Sequence, residues 1–204
     1  MRRSWIVPAV SLSWLALCAT ASATVMTELT LDEMVRSADA IVVGVVEHSG
    51  VRLGERNGAL EPETITTIRV REWLAGSGGQ TVQIRELGGV WQGGGVRYEG
   101  TPEYRAGEQV VVFLERRTDG RRDLRTLGMV QGKFLVRPGV PGTPDTVRRD
   151  LEGIAFVRWV DGRQAIQAPG EQPSMQLDAF LAYVRQARTA WSETPPNGPL
   201  GGGR

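Results

Sequence analysis

Along most of the chain, apolar residues occur in short continuous runs or alternate with polar residues, which is the pattern of β-strands. Residues 40–46 and 110–114 are continuous apolar runs rich in β-branched side chains, and they predict strands buried on both faces. The polar, glycine-containing residues 49–62 and the Pro/Gly-rich residues 137–147 are typical of loops. Further segments predict six more strands, at residues 64–71, 81–86, 124–129, 133–136, 154–160 and 164–167.

Two segments have the periodicity of amphipathic helices. Thr30 and Glu33 have the spacing of a capping box, in which each side chain accepts a hydrogen bond from a free backbone amide, and they predict a short helix over 31–38. The apolar residues of 175–191 fall near one face, which predicts a second helix. Ser174, just before them, can cap it.

The order of these elements predicts a mainly β fold. Gly44 interrupts the first apolar run, which indicates a bulge or bend of the kind that coiled barrel strands need. Asp119-Gly120 and Asp161-Gly162 are typical of hairpin turns and indicate antiparallel neighbours. We expect a small antiparallel OB-like barrel, or a sandwich, with a short N-terminal helix and a C-terminal amphipathic helix closing its ends.

The N-terminus has the pattern of a secretory signal peptide. Arg2 and Arg3 make its start positive, residues 5–19 are apolar apart from two serines, and small residues then precede a cleavage point between Ala23 and Thr24. Cleavage there would place the mature chain outside the cytoplasm, in the periplasm or secreted. We therefore expect three parts: a signal peptide at 1–23, one β-rich globular domain at 24–192 and a disordered tail at 193–204.

Two other interpretations of this N-terminus are open. A membrane anchor would need about 20 apolar residues, whereas this stretch has about 15 and contains Pro8. A lipoprotein would use Cys18, but Leu17 stands where a lipobox normally has a small residue. No later segment approaches the length of a membrane span, so we expect none in the mature chain.

Charge and cysteine content exclude several classes of function. The signal segment holds two of the 24 basic residues and none of the 23 acidic ones, so 22 basic and 23 acidic side chains remain. This balance lacks the positive charge of a protein that binds nucleic acid or an anionic membrane. Cys18 is the only cysteine, so the mature chain would have no cysteine nucleophile, disulfide or thiolate metal site.

The sequence contains no recognisable catalytic motif. His48 is the only histidine and adjoins Ser49 with no nucleophile elbow elsewhere, which argues against a Ser-His-Asp hydrolase and against an ordinary catalytic zinc site. Residues 128–134 superficially resemble a phosphate loop, but they are one residue short and carry Phe134 where Ser or Thr should bind Mg²⁺. We expect no metal and no cofactor.

Carboxylates leave one route to catalysis open. A catalytic pair is defined by its separation in space, so an envelope-polymer hydrolase with two carboxylates about 5–10 Å apart, one with a raised pKa, stays possible. The acids that such an enzyme would draw on are scattered: Asp32, Glu33, Glu61, Glu63, Glu86 and Glu108.

The glycine-rich residues 88–98 contain the predicted binding site. Their glycines disfavour a regular core strand and permit close approach of a backbone. Trp91, Arg97 and Tyr98 are residue types found at binding hot spots, and together with Gln92 they form the predicted site. The alternative is a loop whose Trp91 folds back as a lid on the core, and full burial of Trp91 and Tyr98 would exclude the site.

Three stretches resemble a family of uncharacterised exported bacterial proteins: residues 38–46 (ADAIVVGVV), 67–76 (TIRVREWLAG) and 104–114 (YRAGEQVVVFL). Their order is more distantly similar to netrin-like modules and tissue inhibitors of metalloproteinases. The resemblance spans residues 38–136 and implies an OB-type barrel. Those inhibitors chelate zinc through an N-terminal cysteine, which a chain beginning at Thr24 lacks, so the resemblance assigns no site residue.

These observations favour a non-enzymatic exported binding module. It would recognise a protein partner, such as an extracellular protease or an envelope component, through the loops around residues 88–98. The carboxylate hydrolase and a purely structural envelope component are the alternatives.

Overall fold

The structure is a computed structural model that describes residues 24–56, 58–117 and 123–193 of the 204-residue chain. These residues form α1 (Leu31–Ser37), α2 (Leu177–Glu193) and a 3₁₀ turn at Met129–Gly132. The strands are β1 (Thr24–Thr27), β2 (Ala40–Arg56), β3 (Ala59–Ala75), β4 (Thr81–Leu87), β5 (Gly89–Trp91), β6 (Gly94–Val96), β7 (Gln109–Arg116), β8 (Leu124–Thr126), β9 (Lys133–Arg137), β10 (Thr146–Arg149), β11 (Ile154–Val160), β12 (Arg163–Gln167) and β13 (Met175–Gln176). The predicted signal peptide, the Asp119-Gly120 turn and residues 194–204 of the predicted tail lie outside the described residues.

Five strands close into a ring. β2 pairs antiparallel with β3 and β7, and β3 pairs antiparallel with β4. The short strand β8 completes the ring, because it runs parallel to β4, with Leu124 opposite Ile84, and antiparallel to β7. In chain order, β4 and β8 are the third and fifth strands of this ring. A parallel contact between these two strands gives an OB-type barrel its topology. The prediction of a mainly β, barrel-like fold with a C-terminal helix is confirmed.

The central strand β7 is buried on both faces, as its continuous apolar run predicted. Val110, Val112 and Leu114 point into the barrel, whereas Val111 and Phe113 point outward into a second cluster. Successive side chains of a strand alternate between faces, so one run of valines contributes to two cores.

The second core lies between the outside of the barrel and the two helices. Phe113, Phe134 and Phe180 form its centre, with ring centroids 5.5 Å apart for the first two and 4.9 Å apart for the last two. Thr30 caps α1: its side chain accepts a hydrogen bond from the Glu33 amide, and the Glu33 carboxylate accepts one from the Thr30 amide.

The bend predicted at Gly44 is present. The β2–β3 ladder changes register between Val43 and Gly44. A Cβ atom on Gly44 would lie 2.5 Å from the carbonyl oxygen of Arg69. Only glycine fits this close crossing, which lets β2 coil from one side of the barrel to the other.

The prediction of a loop over residues 49–62 was wrong. β2 and β3 are each 17 residues long, and residues 49–62 continue them beyond the barrel as a two-stranded arm. Strands need apolar alternation only where one face is buried, and none of the described residues of the arm is buried. Its backbone ladder holds it together, so its polar composition resembled that of a loop.

Other predicted boundaries shifted for local reasons. The strand predicted over 124–129 ends at Thr126, because Gly128 takes a φ of 61° and starts the 3₁₀ turn. Within the loop predicted at 137–147, β10 already begins at Thr146. Ser174 does not cap α2, because β13 intervenes and the Leu177 amide instead donates to the Asp145 carbonyl at 2.9 Å.

A smaller sheet lies beside the barrel. β1 pairs parallel with β11, and β11 pairs antiparallel with β12 across the predicted Asp161-Gly162 turn. The sheet covers a third cluster around Leu151, Ile154 and Phe156. Neither described helix has the length and apolar character that crossing a bilayer requires.

Candidate binding groove

Residues 88–98, here called the glycine hairpin, form a small two-stranded sheet separate from the barrel. β5 and β6 pair antiparallel, with Trp91 opposite Gly94. The turn residues Gln92 and Gly93 have φ angles of 49° and 82°. Positive φ at both turn positions is typical of a type I′ turn, whose twist suits a two-residue hairpin.

Two glycines fold this hairpin across the inner face of the arm. Gly88 and Gly89, with φ of 88° and 139°, bend the chain at the end of β4. The Gly88 amide donates to the Pro62 carbonyl at 2.9 Å, and the Thr64 hydroxyl donates to the Gly88 carbonyl at 2.8 Å. A Cβ atom on Gly89 would lie 2.5 Å from Val51 Cγ2, so the hairpin could not approach the arm with a larger residue there.

A groove of about 430 Å³ lies between the glycine hairpin and residues 101–105. Ser49, Thr64 and Leu87, from the barrel and the arm, line its base. Much of the hairpin wall is glycine, so that wall presents backbone amides and carbonyls rather than side chains. We call this cavity the hairpin groove.

The structure separates the four predicted binding residues into two pairs. Arg97 and Tyr98 line the hairpin groove, whereas Trp91 and Gln92 do not. Trp91 and Tyr98 are each 36% exposed, so neither is enclosed in the core. Full burial, the condition that would have excluded the predicted site, is therefore not met.

Exposed charges line one side of the hairpin groove. Arg97 lies 3.1 Å from Glu103, and Arg105 lies 3.6 Å from the same carboxylate. All three side chains are mostly exposed, so these ion pairs contribute little to stability. They leave two guanidinium groups around one carboxylate at the edge of the groove.

A chain of hydrogen bonds runs from Tyr104, which lines the groove, into the barrel. The Tyr104 hydroxyl lies 2.7 Å from Thr126 Oγ1, and that hydroxyl donates to Glu86 Oε1 at 2.6 Å. The Thr126 amide donates to the same oxygen at 2.8 Å. Burial raises the pKa of Glu86, 6% exposed, to about 7, although the bonds from Thr126 oppose the rise.

Sequence reasoning did not single out these three residues. Glu86 appeared only among the scattered acids, although it continues the inward positions of Val82 and Ile84 on an alternating strand. An acid in register with two apolar residues is the signal that could have found it. Tyr104 and Thr126 had no comparable signal, because residues distant in sequence bring them together.

The sole lysine fixes the chain beside Tyr104. The Lys133 ammonium donates to Glu108 Oε2 at 2.7 Å and to the Glu103 carbonyl. It also lies 4.6 Å from the centre of the Tyr104 ring, a cation–π contact. Burial lowers the pKa of Lys133, and the Glu108 carboxylate opposes that change. Lys133 therefore acts as a structural anchor for residues 103–108.

A second groove, of about 380 Å³, lies beside the same residues. Five acidic and three basic side chains line it: Glu99, Glu103, Glu108, Asp150, Glu152, Arg97, Arg105 and Lys133.

Within the residues that the structure describes, no group of three His, Cys, Asp or Glu side chains could hold a metal ion.

The two buried carboxylates among the described residues lie on opposite faces of the sheet. Glu63 is opposite Leu87, and Glu86 is opposite Thr64, one step along the same ladder. Because facing alternates along a strand, Glu86 points into the barrel and Glu63 points outward. Glu63 is 1% exposed and pairs with Arg85 at 2.7 Å. These two acids do not converge on one cavity.

The only histidine is exposed at the base of the arm. His48 pairs with Thr67 in the β2–β3 ladder. The hydroxyl of its neighbour Ser49 is 2.9 Å from that of Thr66. This arrangement holds Ser49 in a cross-strand bond.

Comparisons with known proteins add no relative: no family model, no curated protein and no solved structure matches the chain.

Proposed function

We propose that this protein is an exported, non-enzymatic binding module that recognises a protein partner through the hairpin groove. The observation that carries the proposal is the groove's construction. It is a concave site whose walls combine glycine backbone, Tyr98 and a pair of arginines. Concave sites with a few oriented polar groups are the usual sites of recognition, and Tyr and Arg are enriched at binding hot spots.

The proposal includes location. Cleavage between Ala23 and Thr24 would release the chain into the periplasm or the medium. Thr24 is the first residue of β1, so a chain cleaved there would retain every described strand. The partner would then be an extracytoplasmic protein. The resemblance to netrin-like modules suggests a protease as one partner to test.

The hydrolase alternative draws support from one observation, the raised pKa of Glu86. Its Oε1 atom already accepts two hydrogen bonds from Thr126, and Glu86 is not among the residues that line the hairpin groove. Glu63 faces the other side of the sheet. The binding module therefore accounts for more of the geometry.

Cross-linked capture from the native extracytoplasmic fraction tests the proposal. Tyr98→Ala alters the groove, and Trp91→Ala is its matched control, because both aromatic side chains are 36% exposed and only Tyr98 lines the groove. We expect the wild type and Trp91→Ala to capture the same partner in similar amounts. Tyr98→Ala should capture at most about a tenth of that amount. Loss with Trp91→Ala but not with Tyr98→Ala would move the site to the opposite face of the hairpin.

A further inference from the structure

Residues 99–108, here called the strap, cross the mouth of the barrel between the glycine hairpin and β7. Hydrogen bonds to the backbone fix both ends: the Val130 amide donates to the Gly100 carbonyl, and the Gly107 amide donates to the Val46 carbonyl, each at 2.8 Å. The strap has no helix or strand of its own. It forms one wall of the hairpin groove.

Two side-chain contacts hold the middle of the strap. Lys133, from β9, reaches the Glu103 carbonyl and the Glu108 carboxylate. Tyr104, from the strap itself, is buried in the barrel interior, where its hydroxyl bonds to Thr126. The Thr126 hydroxyl gives its one proton to Glu86 Oε1, so it accepts the proton of Tyr104. Tyr104 and Glu86 are thus joined through one hydroxyl.

In the part of the chain that the structure describes, the charged groups around Glu86 act on its carboxylate only from a distance. On β8, Arg125 is 2.8 Å from Glu115, and Arg117 follows β7; both favour the ionised form only at longer range. β3 contributes uncharged threonines to the inner face of the sheet, on which Glu86 lies. From the strap, Glu108 acts electrostatically on Tyr104. Among the described residues, no lysine or arginine forms an ion pair with Glu86. Burial therefore opposes ionisation of Glu86 while Tyr104 covers the barrel mouth.

We propose that the strap is a pH-sensitive lid on the hairpin groove, held down by Tyr104 while Glu86 is protonated and released more readily once Glu86 ionises. Release would withdraw Tyr104 from the barrel and give the Glu86 carboxylate access to water. The same movement would displace one wall of the groove. As a mechanism for regulating binding, this inference rests on the proposed function. The movement itself does not.

The sign follows from the two environments of Glu86. In the closed state its pKa is about 7, and in an open, hydrated state it falls toward the ordinary 4.5. Opening therefore becomes easier as the pH rises between these values, by at most about tenfold in the opening constant for each pH unit, and levels off above pH 7.

Amide hydrogen exchange on the full mature chain tests the lid. Peptides from the strap are compared with peptides from β7 between pH 5 and pH 8, after correction for intrinsic exchange rates. We expect the strap to open more readily than β7 at every pH, and its opening constant to rise by about 30- to 100-fold from pH 5 to pH 7. β7 should show the same pH dependence at a lower opening constant, because global unfolding also ionises Glu86. In Glu86→Gln, which cannot ionise, the strap should show no such rise. Glu152→Gln, an exposed acid beside the strap, should behave like the wild type.

Three results would overturn the lid. The strap and β7 could have equal opening constants at each pH, which would mean that the strap opens only when the whole barrel unfolds. The strap could show no pH dependence, or Glu86→Gln could retain the wild-type dependence. The comparison of the strap with β7 needs only the wild type. It therefore tests whether the strap opens locally even if Glu86→Gln does not fold. No partner is used, so a failed lid leaves the capture experiment unaffected, and a failed capture leaves the lid standing.

Discussion

At the scale of single residues, the buried carboxyl of Glu86 makes the stability of the fold depend on pH. Its carboxyl has a pKa of about 7 in the folded barrel, above the ordinary 4.5, because it is buried at an inward position. The folded protein therefore keeps a proton that the unfolded chain releases between these pH values. Glu86 therefore contributes most to the stability of the folded state below pH 4.5. This contribution is lost as the pH rises to 7.

Glu86→Gln should stabilise the protein at pH 8. Glutamine cannot ionise, and its carbonyl oxygen can still accept both bonds from Thr126. We expect the free energy of unfolding to rise by up to about 3 kcal/mol at pH 8, and its decline between pH 5 and pH 7 to disappear. Urea denaturation at several pH values measures both. A wild-type protein equally stable at pH 5 and pH 8 would contradict the burial of an ionisable Glu86.

At the scale of elements, the sequence predicted the long strands of the barrel core and missed the arm. The apolar runs at 40–46 and 110–114 became β2 and β7, because burial on both faces demands apolar residues. The arm was missed because none of its described residues is buried, so its sequence has no apolar alternation. Ser174 was misplaced because β13 pairs with β10, a contact between distant residues.

The glycine hairpin offers a sharp test at this scale. Gly94 and Gly95 are neighbours on β6, and neither has a positive φ. A Cβ atom on Gly95 would collide with Gly89 and lie 2.8 Å from Val90 Cα, whereas on Gly94 the nearest atom is 3.9 Å away. We expect Gly95→Ala to destabilise the protein by about 1–3 kcal/mol or to detach the hairpin, and Gly94→Ala to cost under about 0.5 kcal/mol.

Urea denaturation followed by Trp91 fluorescence, with the other tryptophans replaced by phenylalanine in all variants, would measure that difference. Equal effects of the two alanines would mean that the hairpin does not pack as described. The groove wall would then be lost, and the proposed binding site with it.

At the scale of the whole molecule, the class of fold could be predicted, but the closure of the barrel could not. Closure depends on β8, a three-residue strand that touches β4 at Leu124 opposite Ile84. A parallel contact of one residue pair leaves no periodic trace in a sequence. The number and order of long strands, by contrast, follow from their apolar runs.

The groove was only half predictable for a related reason. Residue types suggested the right segment, 88–98, and Arg97 and Tyr98 do line the cavity. The strap forms the opposite wall, and the arm and the end of β4 form the base. These segments are distant in sequence, and the arm that brings them together projects beyond the barrel. The misjudged arm therefore hid both the groove and the position of Tyr104 beneath it.

Site-specific photo-cross-linking in the native extracytoplasmic fraction tests the central claim most directly. A photoreactive amino acid is placed either at Val96, exposed and lining the hairpin groove, or at Leu60, exposed near the tip of the arm and outside the groove. The account predicts one discrete protein adduct from position 96 and none from position 60. No adduct from position 96, or the same adducts from both positions, would contradict a binding site in the hairpin groove.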